Sequence, residues 1–180
     1  PYATSHRAAE DVVLAGANAD MDSIVLRLSN GFGFPSHMEV NAWMLLMNDL
    51  CRQAVTLRTM TLRSTGMQRR DFITLSDVAS VVAHMTALPS NQIGDGLFNV
   101  GCGKSSQVID MVELIQTRCA EVLGYTPEII RPQPAEGDES PSLDFRIDKL
   151  LNTGFILTGN PVLEIDETLR MCNEHCLGTS

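Results

Sequence analysis

The chain has 180 residues, and 44% of them are hydrophobic, which is enough to bury the core of one globular domain. Its 13 basic and 22 acidic side chains give a net charge of −9, which argues against nonspecific binding to nucleic acid. No apolar run is as long as a bilayer-spanning helix and no charged-then-apolar leader opens the chain, so we expect a cytoplasmic protein that does not enter a membrane.

Helical and extended segments alternate along the chain, and turn residues separate them. The predicted helices are residues 3–17 and 41–54, a segment capped by Ser76 or Asp77 that ends at Leu88, a segment capped by Ser105 or Ser106 that ends before Gly124, and residues 148–151 and 164–176. The predicted strands are residues 23–28, 56–62, 71–75, 96–100 and 128–131, and the predicted loops include 29–33 and 132–141. This alternation, without internal repeats, predicts the α/β class.

The five cysteines are odd in number and include no CxxC pair. This pattern favours reduced thiols in a cytosolic protein over a disulfide framework. The segment 172–176 (CNEHC) has two interpretations, which are a set of metal ligands or a helix end with buried thiols. Because no second ligand cluster accompanies it, the helix end is favoured and no metal site is predicted.

Tyr2 and His6 are the candidate catalytic side chains, and both lie in the first predicted helix. Residues four positions apart share one helix face, so the phenol and the imidazole can meet over one site. The alternative is a surface tyrosine and a surface histidine at a frayed chain end. The residues alone leave both interpretations open.

Asn30 is a candidate binding residue because it follows the strand predicted at residues 23–28. Ligands collect at the carboxyl ends of strands in parallel sheets. Asparagine also ends strands through its turn chemistry alone, so this residue has a structural interpretation as well.

Two arginines are candidate phosphate ligands. Arg70, next to Arg69, can bind a diphosphate through paired charge-assisted hydrogen bonds. An ion pair with Asp71 or Asp77 is the alternative role for Arg70. Arg131, which precedes a proline, is the candidate for a second phosphate contact.

The segment 101–105 (GCGKS) ends as a phosphate-binding P-loop does. That motif needs a glycine at the position of Phe98, where a bulky ring blocks the backbone cradle. A strand-to-helix turn with a solvated Lys104 is therefore the favoured interpretation.

Five segments, in this order, resemble the extended short-chain dehydrogenase/reductase family, in its branch of NAD-dependent epimerases and dehydratases that act on nucleotide sugars. The segments are 2–10 (YATSHRAAE), 26–33 (LRLSNGFG), 70–79 (RDFITLSDVA), 98–103 (FNVGCG), and 144–149 (DFRIDK) with the later Gly154 and Phe155. No single motif decides the matter, but five in register over nearly the whole chain form a specific signal.

The resemblance implies an α/β fold made of the C-terminal part of a Rossmann-like parallel sheet and a small α/β substrate-binding lobe, lacking the N-terminal glycine-rich half. Residues 1–34 and 70–103 would belong to the dinucleotide-binding sheet. Residues 35–69 and 104–180 would form the substrate-binding lobe.

The resemblance also implies roles for individual residues. Tyr2 would exchange a proton with a sugar hydroxyl, while NAD(P) takes and returns a hydride. His6, Ser29 and Asn30 would contact the cofactor. Asn30, Arg70 and Arg131 would bind the nucleotide-sugar substrate.

This sequence departs from the family pattern in two ways. The glycine-rich GxxGxxG turn and its strand are absent from it, so we expect the chain alone not to bind the cofactor. The family's lysine, four residues after the tyrosine, is His6 here, and a histidine carries its charge less often than a lysine at neutral pH.

Two functions are therefore under consideration. The first is the C-terminal substrate-binding portion of an NAD-dependent nucleotide-sugar epimerase or dehydratase. The second is a non-catalytic, truncated substrate-lobe module that serves as a dimeric binding or interaction domain. We expect a homodimer, because a helix beginning at residue 3 and a sheet without its first strands leave apolar surface and strand edges uncovered.

Overall fold

The computed structural model describes residues 1–18, 20–37, 40–135, 137–138, 141 and 143–177; residues 136, 139 and 140 of the predicted loop at 132–141 lie outside this set. The helices are α1 (Tyr2–Ala15), α2 (Leu46–Leu57), α3 (Leu75–Thr86), α4 (Ser90–Ile93), α5 (Val108–Leu123), α6 (Asp148–Leu151) and α7 (Pro161–His175). The strands are β1 (Val25–Leu28), β2 (Asn30–Phe32), β3 (Thr59–Thr61), β4 (Arg69–Thr74), β5 (Leu97–Val100), β6 (Ser105–Gln107) and β7 (Glu128–Ile130). Among the described residues, no helix is long and apolar enough to cross a lipid bilayer.

The strands form mainly parallel pairs, and the chain changes pairing partner at Ser29. β1 pairs in parallel with β5, and after Ser29 β2 pairs in parallel with β4. β4 also pairs antiparallel with β6, and β3 and β7 form a separate parallel pair. The predicted α/β class is confirmed. The partner switch places Ser29 and Asn30 at the carboxyl end of β1, where ligands collect in sheets of this kind.

Two clusters of buried apolar side chains form the core. The larger one lies among α2, α5 and α7 and includes Met47, Leu50, Val112, Ile115, Ile165 and Leu169. The smaller one packs α3, β5 and α6 together and includes Ile73, Val81, Phe98, Val100, Leu150 and Phe155. Phe32 and Phe72, from the predicted sheet region, pack in the larger cluster, so the two predicted regions interlock. The boundaries at residues 34, 69 and 103 stay predictions.

Long-range pairing changes two of the predicted segments. Residues 29–33 were expected to be a loop, but Asn30–Phe32 form β2. Their backbone is hydrogen-bonded to β4, which lies about 40 residues further along the chain. Residues 105–107 were expected to open a helix, but they form β6 against β4. The helix α5 therefore begins later, with a capping box between Gln107 and Asp110.

Local capping shifts other boundaries by a few residues. The side chain of Thr74, instead of Ser76 or Asp77, caps α3 by accepting the Asp77 N–H. The helix α2 runs on to Leu57, so only Thr59–Thr61 remain of the strand predicted at 56–62. Arg58 ends α2 with a positive φ of 58°, and its guanidinium lies 3.2 Å from the centre of the Tyr125 ring.

Candidate active site

Tyr2 and His6 lie side by side on α1. Their ring centres are 4.2 Å apart and the rings are tilted by 44°, so the expected meeting of the two side chains on one helix face is present. The Tyr2 side chain is 78% exposed, and His6 is exposed as well. A phenol and an imidazole that are open to solvent and in contact are available to a bound substrate. Their catalytic roles stay a prediction.

An ion pair fixes α1 on β1 and shapes the groove beside Tyr2. Arg27 donates two hydrogen bonds to Glu10, with lengths of 2.8 and 2.6 Å. The Arg27 guanidinium lowers the pKa of the Glu10 carboxyl below its usual value. A cavity of about 590 Å³ lies between the two elements and is lined by Tyr2, His6, Ala9, Glu10, Val13 and Val25–Leu28. The tyrosine and the carboxyl end of β1 thus border the same groove.

Ser29 and Asn30 lie where β1 gives way to β2. The Ser29 Oγ atom is buried and has no hydrogen-bond partner among the residues that the structure describes. Asn30 is exposed, and its Nδ2 donates to the Asp71 carbonyl oxygen at 2.9 Å. Among the described residues no hydrogen bond of the second N–H or of Oδ1 is found, so both can bind a ligand. The predicted contacts of both residues with a cofactor are open to test.

Arg70 is exposed on β4, opposite Ser106 of β6. Neither of its predicted alternative partners holds it. Asp71 is fully buried and accepts the Cys102 N–H at 2.9 Å, and Asp77 accepts the N–H groups of Thr158 and Gly159. Within the described part of the chain, no hydrogen bond or ion pair of the Arg70 side chain is found, so its guanidinium is accessible to an anion.

Arg69 and Arg131 both use their guanidinium groups inside the protein. Arg69 donates to the Oγ atom and the carbonyl oxygen of Ser105, which ties β4 to β6. Arg131 is half-buried and donates to the Thr65 carbonyl oxygen, which holds the loop between β3 and β4. The substrate-binding role predicted for Arg131 is untested, and in this structure the residue supports the loop that leads to Arg70.

A cavity that begins at Gln68, just before Arg70, was not predicted from the sequence. It has a volume of about 430 Å³ and is lined by Leu46, Asp49, Gln53, Thr61, Leu62, Arg63, Ser64, Gln68 and Val108. Four separate parts of the chain contribute to this lining, and no local pattern links them. Two glutamines, an aspartate and Arg63 give the walls both hydrogen-bond donors and acceptors.

Residues 101–105 and 172–176 are the two alternative sites considered from the sequence. Residues 101–105 lead into β6, and α5 begins only at Val108, so no helix N-terminus follows Lys104 as a P-loop requires. Throughout the described residues, no cluster of three or more histidine, cysteine or acidic side chains is arranged to hold a metal ion. All five cysteines are free thiols, and burial raises the pKa of Cys51 and Cys119.

The chain is similar to known proteins over long stretches. A model of the NAD dependent epimerase/dehydratase family matches residues 1–101. The dTDP-L-rhamnose 4-epimerase of Burkholderia thailandensis is 27% identical over 115 residues, which are 63% of this chain and 31% of that enzyme.

Solved structures match the fold over nearly the whole chain. RMD from Pseudomonas aeruginosa, solved with NADPH, matches with a TM-score of 0.73 and 19% identity over 97% of this chain and 56% of its own. TunA, an NAD-dependent NDP-hexosamine 5,6-dehydratase of tunicamycin biosynthesis, matches with a TM-score of 0.70 and 26% identity over 99% of this chain and 55% of its own. The chain thus spans about half the length of these solved relatives. Because the family match covers more than half of the chain and the fold agrees, the chain belongs to the NAD dependent epimerase/dehydratase family.

Proposed function

We propose that this chain is the C-terminal, substrate-binding portion of an NAD-dependent nucleotide-sugar epimerase or dehydratase. Its substrate is a sugar linked to a nucleoside diphosphate. Arg70 binds the diphosphate, and the Asn30 amide assists from the neighbouring strand. Arg131 contributes indirectly, because its hydrogen bond to Thr65 supports the loop before Arg70.

The observation that carries this proposal is the link between Asn30 and β4. The Asn30 amide is hydrogen-bonded to the residue that directly follows Arg70, so the two candidate ligands come from adjacent strands. Arg70 is exposed, and both carboxylates that the sequence offers as partners are engaged elsewhere. A guanidinium and an amide in adjacent strands suit the oxygen atoms of a diphosphate.

The catalytic roles in this proposal belong to α1. Tyr2, in its deprotonated phenolate form, accepts the proton of a sugar hydroxyl while the carbon of that hydroxyl loses a hydride, which converts the alcohol to a ketone. NAD(P), when bound, supplies the hydride acceptor. His6 contacts the Tyr2 ring and orients the phenol toward the groove between α1 and β1. The exposed ring of His6 and the exposed amide of Asn30 suit the ribose end of such a cofactor, and the buried hydroxyl of Ser29, next to Asn30, has no partner among the described residues.

The assembly and the compartment are part of the same proposal. We infer a homodimer, because α1 carries exposed apolar side chains such as Val12 and β1 is hydrogen-bonded to only one strand among the described residues. Five free thiols favour a reducing compartment, which supports the cytoplasm. Light scattering at tens of micromolar tests the dimer, and a monomer at that concentration would contradict it.

Calorimetric titration with UDP-glucose and dTDP-glucose tests the substrate assignment. We expect binding to the wild-type chain, and Arg70→Ala should weaken it by about 2–4 kcal/mol because a desolvated charge pair is lost. Arg170→Ala is the matched control, since this exposed arginine pairs with Glu167 on its own helix. Equal affinity in Arg70→Ala and Arg170→Ala would remove Arg70 from the site.

Two further measurements test the catalytic part. NAD should not bind measurably to the 180-residue chain, because a glycine-rich turn at a helix N-terminus is not in its sequence. In a longer protein that joins the chain to a glycine-rich half, Tyr2→Phe should abolish turnover and leave substrate binding unchanged. Full turnover of Tyr2→Phe would refute the catalytic assignment.

A further inference from the structure

The turn that ends β2 is held by a buried side-chain amide. Asn48, on α2, is 1% exposed. The Gly33 N–H donates to Asn48 Oδ1 at 3.0 Å, and Asn48 Nδ2 donates to the Gly33 carbonyl oxygen at 2.8 Å. One side chain therefore satisfies both backbone groups of Gly33, just beyond the last paired residue of β2.

Only glycine fits the backbone conformation and the space at position 33. Its φ of 143° lies in the positive region that other residues rarely adopt, and a Cβ atom at this position would overlap Glu164 Oε2. The close approach of Glu164 is possible only because the side chain is missing. The turn is thus shaped by its neighbours on α2 and α7, and the local sequence supplies only the glycine.

Glu164 holds the next residue from the opposite side. It is 8% exposed, and its carboxylate accepts the Phe34 N–H at 3.4 Å. The same carboxylate accepts the N–H of Ser76 at 3.1 Å and the Ser76 hydroxyl, at the start of α3. Burial raises the pKa of this carboxyl. Two successive backbone N–H groups, of Gly33 and Phe34, therefore bond to side chains of two different helices.

Asn48 and Glu164 form a clamp on the turn at Gly33 and Phe34. This clamp begins three residues beyond Asn30, and the two ends of β2 are held in different ways. At its start, Asn30 Nδ2 donates to the Asp71 carbonyl oxygen of β4. At its end, Asn48 and Glu164 hold Gly33 and Phe34. A three-residue strand has few ladder hydrogen bonds of its own, so these two attachments decide where it lies against β4. Movement at the clamp would be passed along β2 to Asn30.

We propose that Asn48 and Glu164 are positioning residues that set the place of the Asn30 amide at the nucleotide-sugar site. This inference rests on the proposed function for its ligand, but the positioning itself is a property of the free chain. A buried amide needs its two hydrogen bonds to offset its desolvation. An apolar side chain of similar size would avoid that requirement but would leave the N–H and the carbonyl oxygen of Gly33 without these partners, so the amide is tied to the turn that follows a candidate ligand.

The test uses the ¹⁵N-labelled full chain and reads the Asn30 side-chain amide by NMR. In Asn48→Ala, we expect the Asn30 amide resonances to shift and their exchange with water to rise about 10-fold, as the Asp71 hydrogen bond loosens. Cys51→Ala is the matched control, because Cys51 is equally buried on the same helix and lies one turn away from Asn48. It removes packing but leaves both Gly33 hydrogen bonds in place.

Titration with UDP-glucose then connects the position to binding. Affinity should fall about 10-fold in Asn48→Ala and stay within about twofold in Cys51→Ala. If Asn48→Ala does not fold, Glu164→Gln provides the same readouts. The glutamine amide has only one acceptor oxygen, so it cannot accept the N–H groups of Phe34 and Ser76 on two separate oxygens as the carboxylate does. An unchanged Asn30 amide in a folded variant overturns the inference, whatever the ligand does. If the Asn30 amide moves but the wild-type chain binds no nucleotide sugar, the proposed function fails and the positioning stands.

Discussion

Helices α1 and α7 are of similar length, yet they are attached to the protein in opposite ways. The 15-residue α7 has seven buried residues, and its apolar side packs against α2 and α5. The 14-residue α1 has none, and within the described part of the chain its one ionic attachment to another element joins Glu10 to Arg27. Both helices have apolar residues at helical spacing, but among the described residues only those of α7 are fully buried against apolar partners. An apolar periodicity therefore predicts a helix without telling which surface will cover it.

The largest difference between the two helices should appear in unfolding free energy. Leu169→Ala on α7 should destabilise the protein by about 2–5 kcal/mol, because it removes a fully buried side chain and leaves a cavity. Val12→Ala on α1 is the control and should change stability by less than about 0.5 kcal/mol, since this valine is 74% exposed. Urea unfolding measures both variants. A similar loss in the two would mean that α1 is buried in solution, for example by a second chain.

Amide hydrogen exchange should separate the helices without any substitution. We expect amides in the middle of α1 to be protected on the order of 100-fold less than those of α7, because few contacts must break to release α1. Mass spectrometry of peptides covering α1 and α7 measures this ratio. Equal protection would contradict the comparison. An increase in α1 protection with protein concentration would identify α1 as the surface that pairs in a homodimer.

The attachment of α1 should weaken in acid. The Glu10 pKa is lowered in the folded protein, so its ion pair stabilises the fold above the ordinary value of 4.5 and is lost as the pH falls through the lowered pKa. Exchange protection of α1 should therefore decrease between about pH 5 and pH 3 in the wild type. In Glu10→Gln it should be low throughout. A wild-type protection that is the same at both pH values would show that another contact holds α1.

Local patterns predicted the main elements, and long-range pairing explains where those predictions differ. The α/β class, α1, β1, β5 and α6 were expected at nearly the observed positions, because each has a clear period or a clear turn at its ends. The strand β2 was missed because a three-residue segment that contains Gly31 and is followed by Gly33 acquires its extended form only from β4. Hydrogen bonds between distant segments leave no periodicity in either one.

The candidate site was predicted unevenly for the same reason. The contact between Tyr2 and His6 follows from helix spacing, which is a local property. The buried partners of Gly33 could not be foreseen, since Asn48 and Glu164 lie 15 and more than 100 residues away from the turn that they hold. Arg131 also showed no sign in the sequence that its guanidinium would be used for the Thr65 carbonyl. Ligand roles read from residue type need the fold before competing structural roles can be weighed.

The smallest expected change in stability concerns His6, on the exposed face of α1. His6→Lys should alter the unfolding free energy by less than about 0.5 kcal/mol, because the side chain packs against little besides the Tyr2 ring. Its effect on chemistry should be larger. In a longer protein with a glycine-rich half, activity at about pH 8 should be kept or raised, since a lysine keeps its positive charge at that pH. His6→Gln is the uncharged control and should not raise activity. Equal activity of the two variants would show that catalysis needs no cation beside Tyr2. Packing would then be the difference that remains between α1 and α7.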